Sequence, residues 1–164
     1  RPGVLSHRHI DPGARQLLAH AEIQPAMRVL DIGCGAGTVA LALAAREPTA
    51  TVHAVDSSAR AIECTLAGAS LNHLTNITAE LNSSGNYSEP GTYDLVVANP
   101  PYYADFSIAE KFVAAAERSM RPGGQLLLVT KSPAWYEEHL PPRFERIAIT
   151  TSRQYFVVSG EKGP

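Results

Sequence analysis

Asn99-Pro100-Pro101-Tyr102 follows an apolar run from Leu95 to Ala98. Two consecutive prolines end any strand that the run forms, because neither donates a backbone hydrogen bond and each fixes its own φ. An amide side chain beside a stiffened carbonyl then offers two fixed acceptors. A planar nitrogen, exocyclic on a base or part of an amide, is a poor nucleophile because its lone pair is delocalised. The Asn99 side-chain oxygen and the Pro100 carbonyl can draw its hydrogens out of plane and restore that pair, with Pro101 holding the backbone still. Tyr102 can stack on a planar substrate. The same four residues also fit a simple rigid strand terminator.

A second constellation lies upstream, in the stretch Val29 to Gly37, "VLDIGCGAG". Glycine at 33, 35 and 37 lets a strand-to-helix turn bring its backbone close to a ligand, with Cys34 as a small residue inside the turn. Gly35-Ala-Gly37-Thr-Val-Ala40 also fits the dinucleotide pattern G-x-G-x-x-G/A, and Asp56, about twenty residues on, is where a ribose-binding acid would stand. Both readings put a ribose on Asp56, next to Ser57; its alternative is to cap a helix there. Asp31 separates them. An acid just before the glycines repels a pyrophosphate but suits a cationic amino group such as that of S-adenosylmethionine. It could otherwise cap nearby backbone N–H groups.

These residues need elements to hold them, and the pattern supplies them. Short β-branched runs alternate with helical stretches, which predicts an α/β fold, a doubly wound parallel sheet covered by helices on both faces. Asp11-Pro12 opens a lead-in helix. Strands are expected at Arg28 to Ile32, Thr51 to Val55, Asn76 to Leu81, Tyr93 to Ala98 and in "QLLLVTK", with helices over Thr38 to Arg46 and Ser58 to Asn72. Ser107 to Glu110 reads as a capping box for a helix running to about Met120, stopped by Pro122-Gly123-Gly124. "RFERIAITTSRQYFVVSG" reads as two strands joined by a tight turn, an antiparallel pair closing an otherwise parallel sheet. The glycine turn and Asn99 then both fall at carboxyl ends of parallel strands and face one crevice.

The chain of 164 residues suits a single domain over 1–164, with 1–24 as a lead-in and 25–164 as the catalytic core. A formal net charge of −2 argues against a broad basic surface for long nucleic acid, though not against a local patch. With only Cys34 and Cys64, no disulfide framework or cysteine metal knuckle can be built, and a reducing cytoplasm is the expected setting. His7 and His9 lack further ligands at motif spacing, so no metal is expected. No apolar run has the length to cross a bilayer. The first methionine is Met27, which suggests a processed or excised piece.

"VLDIGCGAG", Asp56 and "NPPY", in this order and spacing, resemble class I S-adenosylmethionine-dependent methyltransferases. The lead-in "GVLSHRHIDPGARQLL" is similar to the segment preceding the cofactor turn in the methyltransferase small-domain family, which includes ribosomal RNA guanine N2-methyltransferases. The resemblance implies a Rossmann-like seven-stranded sheet of order 3-2-1-4-5-7-6 with strand 7 antiparallel. It also implies S-adenosylmethionine as cofactor, its methionine end near Gly33, its ribose on Asp56 and its adenine near the end of strand three. Asn82 is the candidate adenine contact, with Glu80 as competitor. Catalysis falls on Asn99, Pro100, Pro101 and Tyr102, with Asn99 also beside the cofactor.

The expected reaction is methyl transfer to a planar nitrogen, with a guanine or adenine of ribosomal RNA as the leading acceptor and nucleic acid as the partner. Tyrosine after the prolines, found in related adenine and protein-glutamine enzymes, keeps a protein glutamine or a small molecule open. A nicotinamide-dependent oxidoreductase would explain the glycines and Asp56 but leave Asp31 and "NPPY" without a role. A non-catalytic binding module is the remaining reading. Candidates for touching substrate are His9 and Asp11 in the lead-in, Tyr103, and Lys131 after strand five. The lead-in could close over the crevice or be a solvated tail with a helix cap.

Overall fold

Period-two alternation along the strands sorts the core into two faces. In β1 (Arg28–Ile32) Val29 joins one buried cluster and Leu30 and Ile32 the other; in β4 (Tyr93–Ala98) Leu95 and Val97 oppose Val96 and Ala98. Helices α1 (Pro12–His20) and α2 (Thr38–Arg46) cover the first face through Leu17, Leu18, Ala40 and Leu43. On the other face lie α4 (Phe106–Ser119) and α5 (Ala134–His139), through Val113, Ala116 and Tyr136. A sheet buried on both sides explains why β4 reads as a continuous apolar run rather than an alternating one. By parity with Val29, Asp31 falls on the α1–α2 face, an acid set into apolar surroundings.

The computed structural model describes residues 10–101 and 106–164. The remaining strands are β2 (Thr51–Asp56), β3 (Ile77–Leu81), β5 (Met120–Thr130), β6 (Glu145–Ser152) and β7 (Tyr155–Glu161), and α3 spans Ala59–Leu71. They form one seven-stranded sheet of order β3-β2-β1-β4-β5-β7-β6. All pairs from β3 to β5 are parallel, and β7 runs antiparallel to both neighbours. The strand order reverses between β1 and β4, which makes their carboxyl ends a crevice. Among the described residues, no helix is long and apolar enough to cross a membrane.

Two local expectations change. The helix expected to open on Ser107 already includes Phe106, so Ser107 sits inside its first turn, and the Glu110 carboxylate is taken by Arg143 at 2.5 Å. Pro122-Gly123-Gly124 does not separate helix from strand. Met120 already pairs with Tyr93, and the register shifts before Gln125 pairs with Leu95, so the three residues form an irregularity within β5. Gly124 is required there: a Cβ would stand 2.8 Å from the Tyr93 carbonyl oxygen. The Gly123 N–H donates to the Lys162 carbonyl at 2.7 Å, tying the kink to the end of β7.

Candidate active site

The glycine turn is fastened to β2 before any ligand is considered. The N–H groups of Gly33 and Cys34 both donate to the Val55 carbonyl at 2.9 Å, and Gly37 N–H closes the turn onto the Cys34 carbonyl. All three glycines have positive φ, 72° at Gly33, 55° at Gly35 and 89° at Gly37. Gly37 cannot carry a side chain in any case, since a Cβ would lie 2.7 Å from the Thr65 hydroxyl and 3.1 Å from the Thr65 Cα. A Cβ on Gly35 would meet nothing within 4 Å, so the open space beside it is not filled by protein. Gly33 has the Phe112 ring over it, 3.0 Å from where its Cβ would be.

The two aspartates differ sharply. Asp56 is half-buried, and its carboxylate accepts from Gly35 N–H and from Ser58 N–H, each at 2.9 Å. Asp56 thus braces the glycine turn and the residue before α3, and each oxygen still has a lone pair to offer the crevice. Ser58, not Asp56, caps α3, accepting from Ala61 N–H at 3.3 Å. Asp31 is only 3% exposed, and its Oδ2 has no hydrogen-bond partner among the described residues. Burial pushes its carboxyl up to about 7; a backbone hydrogen bond from Ala40 pulls it down and the Asp56 charge raises it further. An orphaned buried acceptor is costly unless a donor or cation reaches it. Cys34 is buried, and burial drives its thiol up to about 12, so it is a packing residue and not a nucleophile.

Facing this turn, a cleft of about 640 Å³ is walled by Gly33, Asp56, Ser57, Asn82, Asn99 and Pro101, among others. One residue or more from the ends of β1, β2, β3 and β4 is thus brought to one space, whereas Asp31, Cys34, Gly35, Gly37 and Pro100 are not part of this wall. Pro100 is buried next to Asn99. The Asn99 side-chain nitrogen donates to Asp11 Oδ2 at 3.0 Å. Asp11, expected to touch substrate, also accepts the Ala14 N–H at 2.9 Å as the cap of α1. Tyr102, Tyr103 and His9 lie outside the described residues. Lys131 is exposed and outside the cleft wall, its ammonium 5.1 Å from the centre of the Tyr155 ring.

At the end of β3, Asn82 and Glu80 are not rivals but partners. The Asn82 side-chain nitrogen donates to Glu80 Oε2 at 2.6 Å and to the Asn86 carbonyl at 3.0 Å, while its oxygen accepts from Ser84. Glu80 also takes His53 Nε2 at 2.7 Å and Ser88 N–H at 3.2 Å. Burial alone would raise its carboxyl, but these hydrogen bonds together outweigh that and bring it down to about 2. Glu80 is absent from the cleft wall, and the loop it organises is part of that wall.

Sequence reasoning missed the α4 side. Phe112, Lys111 and Arg118 line the cleft, and Arg118 anchors the β3 loop by donating to the Gly85 carbonyl at 2.6 Å. A signal was present: Lys111 and Arg118 stand two turns apart on α4, with the apolar Ile108 one turn before them on the same side.

Known proteins with this arrangement are readily found. The family model described as "Methyltransferase small domain" matches residues 1–159. "Ribosomal RNA small subunit methyltransferase C" of Pseudoalteromonas translucida is 34% identical over 162 residues, covering 96% of this chain and 47% of that protein. Its namesake from Ectopseudomonas mendocina is 35% identical over 150 residues, covering 86% and 44%. The chain therefore spans about half the length of the curated relatives it matches. Among solved structures, TrmN from Thermus thermophilus superposes with a TM-score of 0.76 at 28% identity, over 91% of this chain and 48% of that one. The Thermus thermophilus 16S rRNA methyltransferase RsmC, in complex with AdoMet and guanosine, shares the fold with a TM-score of 0.78 at 24% identity, over 96% and 40%. With the sheet order, the crevice and the family match in agreement, the chain belongs to the methyltransferase small domain family.

Proposed function

We propose that this chain is the catalytic part of an S-adenosylmethionine-dependent N-methyltransferase acting on ribosomal RNA, with an exocyclic base nitrogen, foremost that of guanine, as acceptor. One observation carries the reading: Asn99 and Gly33 wall the same cleft, so an acceptor grip and a cofactor turn face each other. The names of the relatives point to ribosomal RNA of the small subunit. A cytoplasmic setting, and a division into a lead-in over 1–24 and a core over 25–164, go with it.

The residues present fit the cofactor. Asp31 Oδ2, buried and unpartnered among the described residues, would take its amino group; Asp56 would accept from the ribose hydroxyls and Asn82 would lie toward the adenine. The open space beside Gly35 leaves room for a close backbone approach. Bound there, S-adenosylmethionine supplies a methyl group on a sulfonium, and the sulfur departs as a neutral thioether that needs no acid. Asn99 Oδ1 and the Pro100 carbonyl accept the hydrogens of the target nitrogen and free its lone pair for the methyl carbon. The nitrogen, once methylated, would carry a positive charge and would lose a proton to solvent, so no strong base among these residues is needed.

The deciding experiment offers labelled S-adenosylmethionine with small-subunit ribosomal RNA, assembled small subunits and a cell extract. Label in guanine of the RNA is the expected result. Label in protein alone would replace the substrate with a glutamine side chain, and no uptake alongside NADH binding would remove the methyltransferase reading.

A further inference from the structure

An asparagine amide has nearly the same shape with its oxygen and nitrogen exchanged, so a site that needs only the oxygen must forbid the flipped form. In this chain Asp11 is the forbidding group. Asn99 Nδ2 donates to Asp11 Oδ2 at 3.0 Å, and the same oxygen receives the Ala14 N–H at 2.9 Å. An ionised carboxylate only accepts. Were the amide flipped, its oxygen would face that carboxylate with no proton between them, a repulsive contact. Asp11 is itself fixed, because α1 begins at Pro12 and Leu17 and Leu18 bury that helix against the sheet.

We propose that Asp11 is a positioning residue whose carboxylate fixes the Asn99 amide nitrogen and thereby turns the amide oxygen toward the acceptor cleft. The contact joins residues 88 positions apart and couples the lead-in helix to the end of β4. A hydrogen bond to a charged acceptor also polarises the amide and makes its oxygen a better acceptor in turn. This proposal rests on reading Asn99 as the grip on the target nitrogen.

Two substitutions separate positioning from helix capping, since Ser, Asn and Asp cap about equally well. Asp11→Ser keeps a capping oxygen but is too short to reach Asn99 as well. Asp11→Asn keeps an oxygen that can serve both Ala14 and Asn99. Turnover with small-subunit ribosomal RNA is expected to fall about 10- to 100-fold in Asp11→Ser and about threefold or less in Asp11→Asn, at unchanged melting temperature and cofactor affinity. In an Asn99→Ala background Asp11→Ser should change the residual rate less than about twofold, because coupled residues are not additive. A second readout needs no turnover: with the five asparagines labelled by nitrogen-15, the Asn99 side-chain pair, assigned by its loss in Asn99→Ala, shifts in Asp11→Ser and stays in Asp11→Asn.

Near-parent turnover in both Asp11 variants would make the residue a cap only, equal large losses would place the effect on its charge and not on the orientation of Asn99, and an Asp11→Ser loss that persists without Asn99 would give it an independent role; each overturns the proposal. An unmoved Asn99 resonance in Asp11→Ser does the same. If Asn99→Ala itself keeps full turnover, it is the functional reading that fails, and the labelled side-chain pair still decides whether Asp11 orients Asn99.

Discussion

The two walls of the crevice are built by different means. At β1 and β2 the glycine turn is tied down within one strand–helix–strand unit: Gly33 and Cys34 to Val55, Gly35 to Asp56, Ser58 to Asp56. At β4 the proposed acceptor side is Asn99, set between a buried proline and the carboxylate of Asp11, the α1 cap 88 residues earlier in the chain. The first wall is complete once β1, α2 and β2 are assembled. The second depends on the whole fold being assembled. A cofactor that is the same in every turnover suits the former, and an acceptor that must be gripped through particular hydrogens suits the latter.

The comparison predicts that damage to the two walls separates in the kinetics. Asn99→Ala removes the proposed acceptor oxygen together with the amide nitrogen that donates to Asp11, and leaves the cofactor turn untouched. Turnover is expected to fall about 1000-fold or more, with cofactor affinity by calorimetry changed less than about threefold. Equal losses of turnover and cofactor affinity would mean the walls are not separable.

Asp31→Asn is the mirror experiment, with the next largest effect. Ligand-free Asp31 carries a proton below about 7, whereas an unfolded aspartate ionises near 3.8. The folded state thus holds the proton longer. Stability falls as pH rises from about 3.8 to about 7 and then levels, so at pH 8 the ligand-free variant should melt no lower than the parent. Cofactor affinity should drop about tenfold or more, because the cation loses its charged partner. In the parent, binding at pH 6 should release a proton, seen as a dependence of the calorimetric heat on buffer ionisation; the variant should show none.

Gly37→Ala and Gly35→Ala sharpen the contrast within one turn. At Gly37 the added methyl meets the backbone of Thr65 at φ 89°, and the expected cost is about 2 kcal/mol or more of folding stability. At Gly35 the cost is about 1 kcal/mol from the left-handed conformation alone, and the methyl enters open space. Denaturant melts should rank them in that order, while Gly35→Ala loses cofactor affinity out of proportion to its stability.

Legibility in the sequence followed contact distance. Asp31, the three glycines and Asp56 lie within 26 consecutive positions, so type and spacing marked out a ligand-binding turn, while the spacing alone fitted a dinucleotide as well as S-adenosylmethionine. Alternating elements indicated a parallel sheet covered on both faces and closed by an antiparallel pair, and the family resemblance supplied its order. Phe112 was unreadable: on an amphipathic helix a phenylalanine is a core residue until the fold lays its ring over Gly33. The Asp11–Asn99 bond was hidden because a helix cap needs no second partner, and Glu80 because the histidine that claims it lies on the neighbouring strand. Pro122-Gly123-Gly124 misled because breaker residues mark a kink in a strand as readily as its start.

The smallest effect on activity belongs to Glu80→Gln, and it tests whether the adenine end of the cofactor wall is organised as locally as the glycine turn. The Glu80 carboxylate collects His53, Asn82 and Ser88, and its folded value of about 2 lies below the ordinary 4.5. A depressed carboxylate stabilises the folded state fully above about 4.5, and that contribution is lost as pH falls through about 2. The parent should therefore lose melting temperature between pH 5 and pH 2 more steeply than Glu80→Gln. At pH 7 the variant, which keeps an acceptor oxygen, should bind cofactor within about threefold of the parent. Faster hydrogen exchange confined to the Ser84 and Ser88 amides at pH 4 would place the loss in this loop. Exchange spreading into β2 and β3 would show instead that Glu80 holds the sheet edge, and that this part of the wall is no more local than the acceptor side.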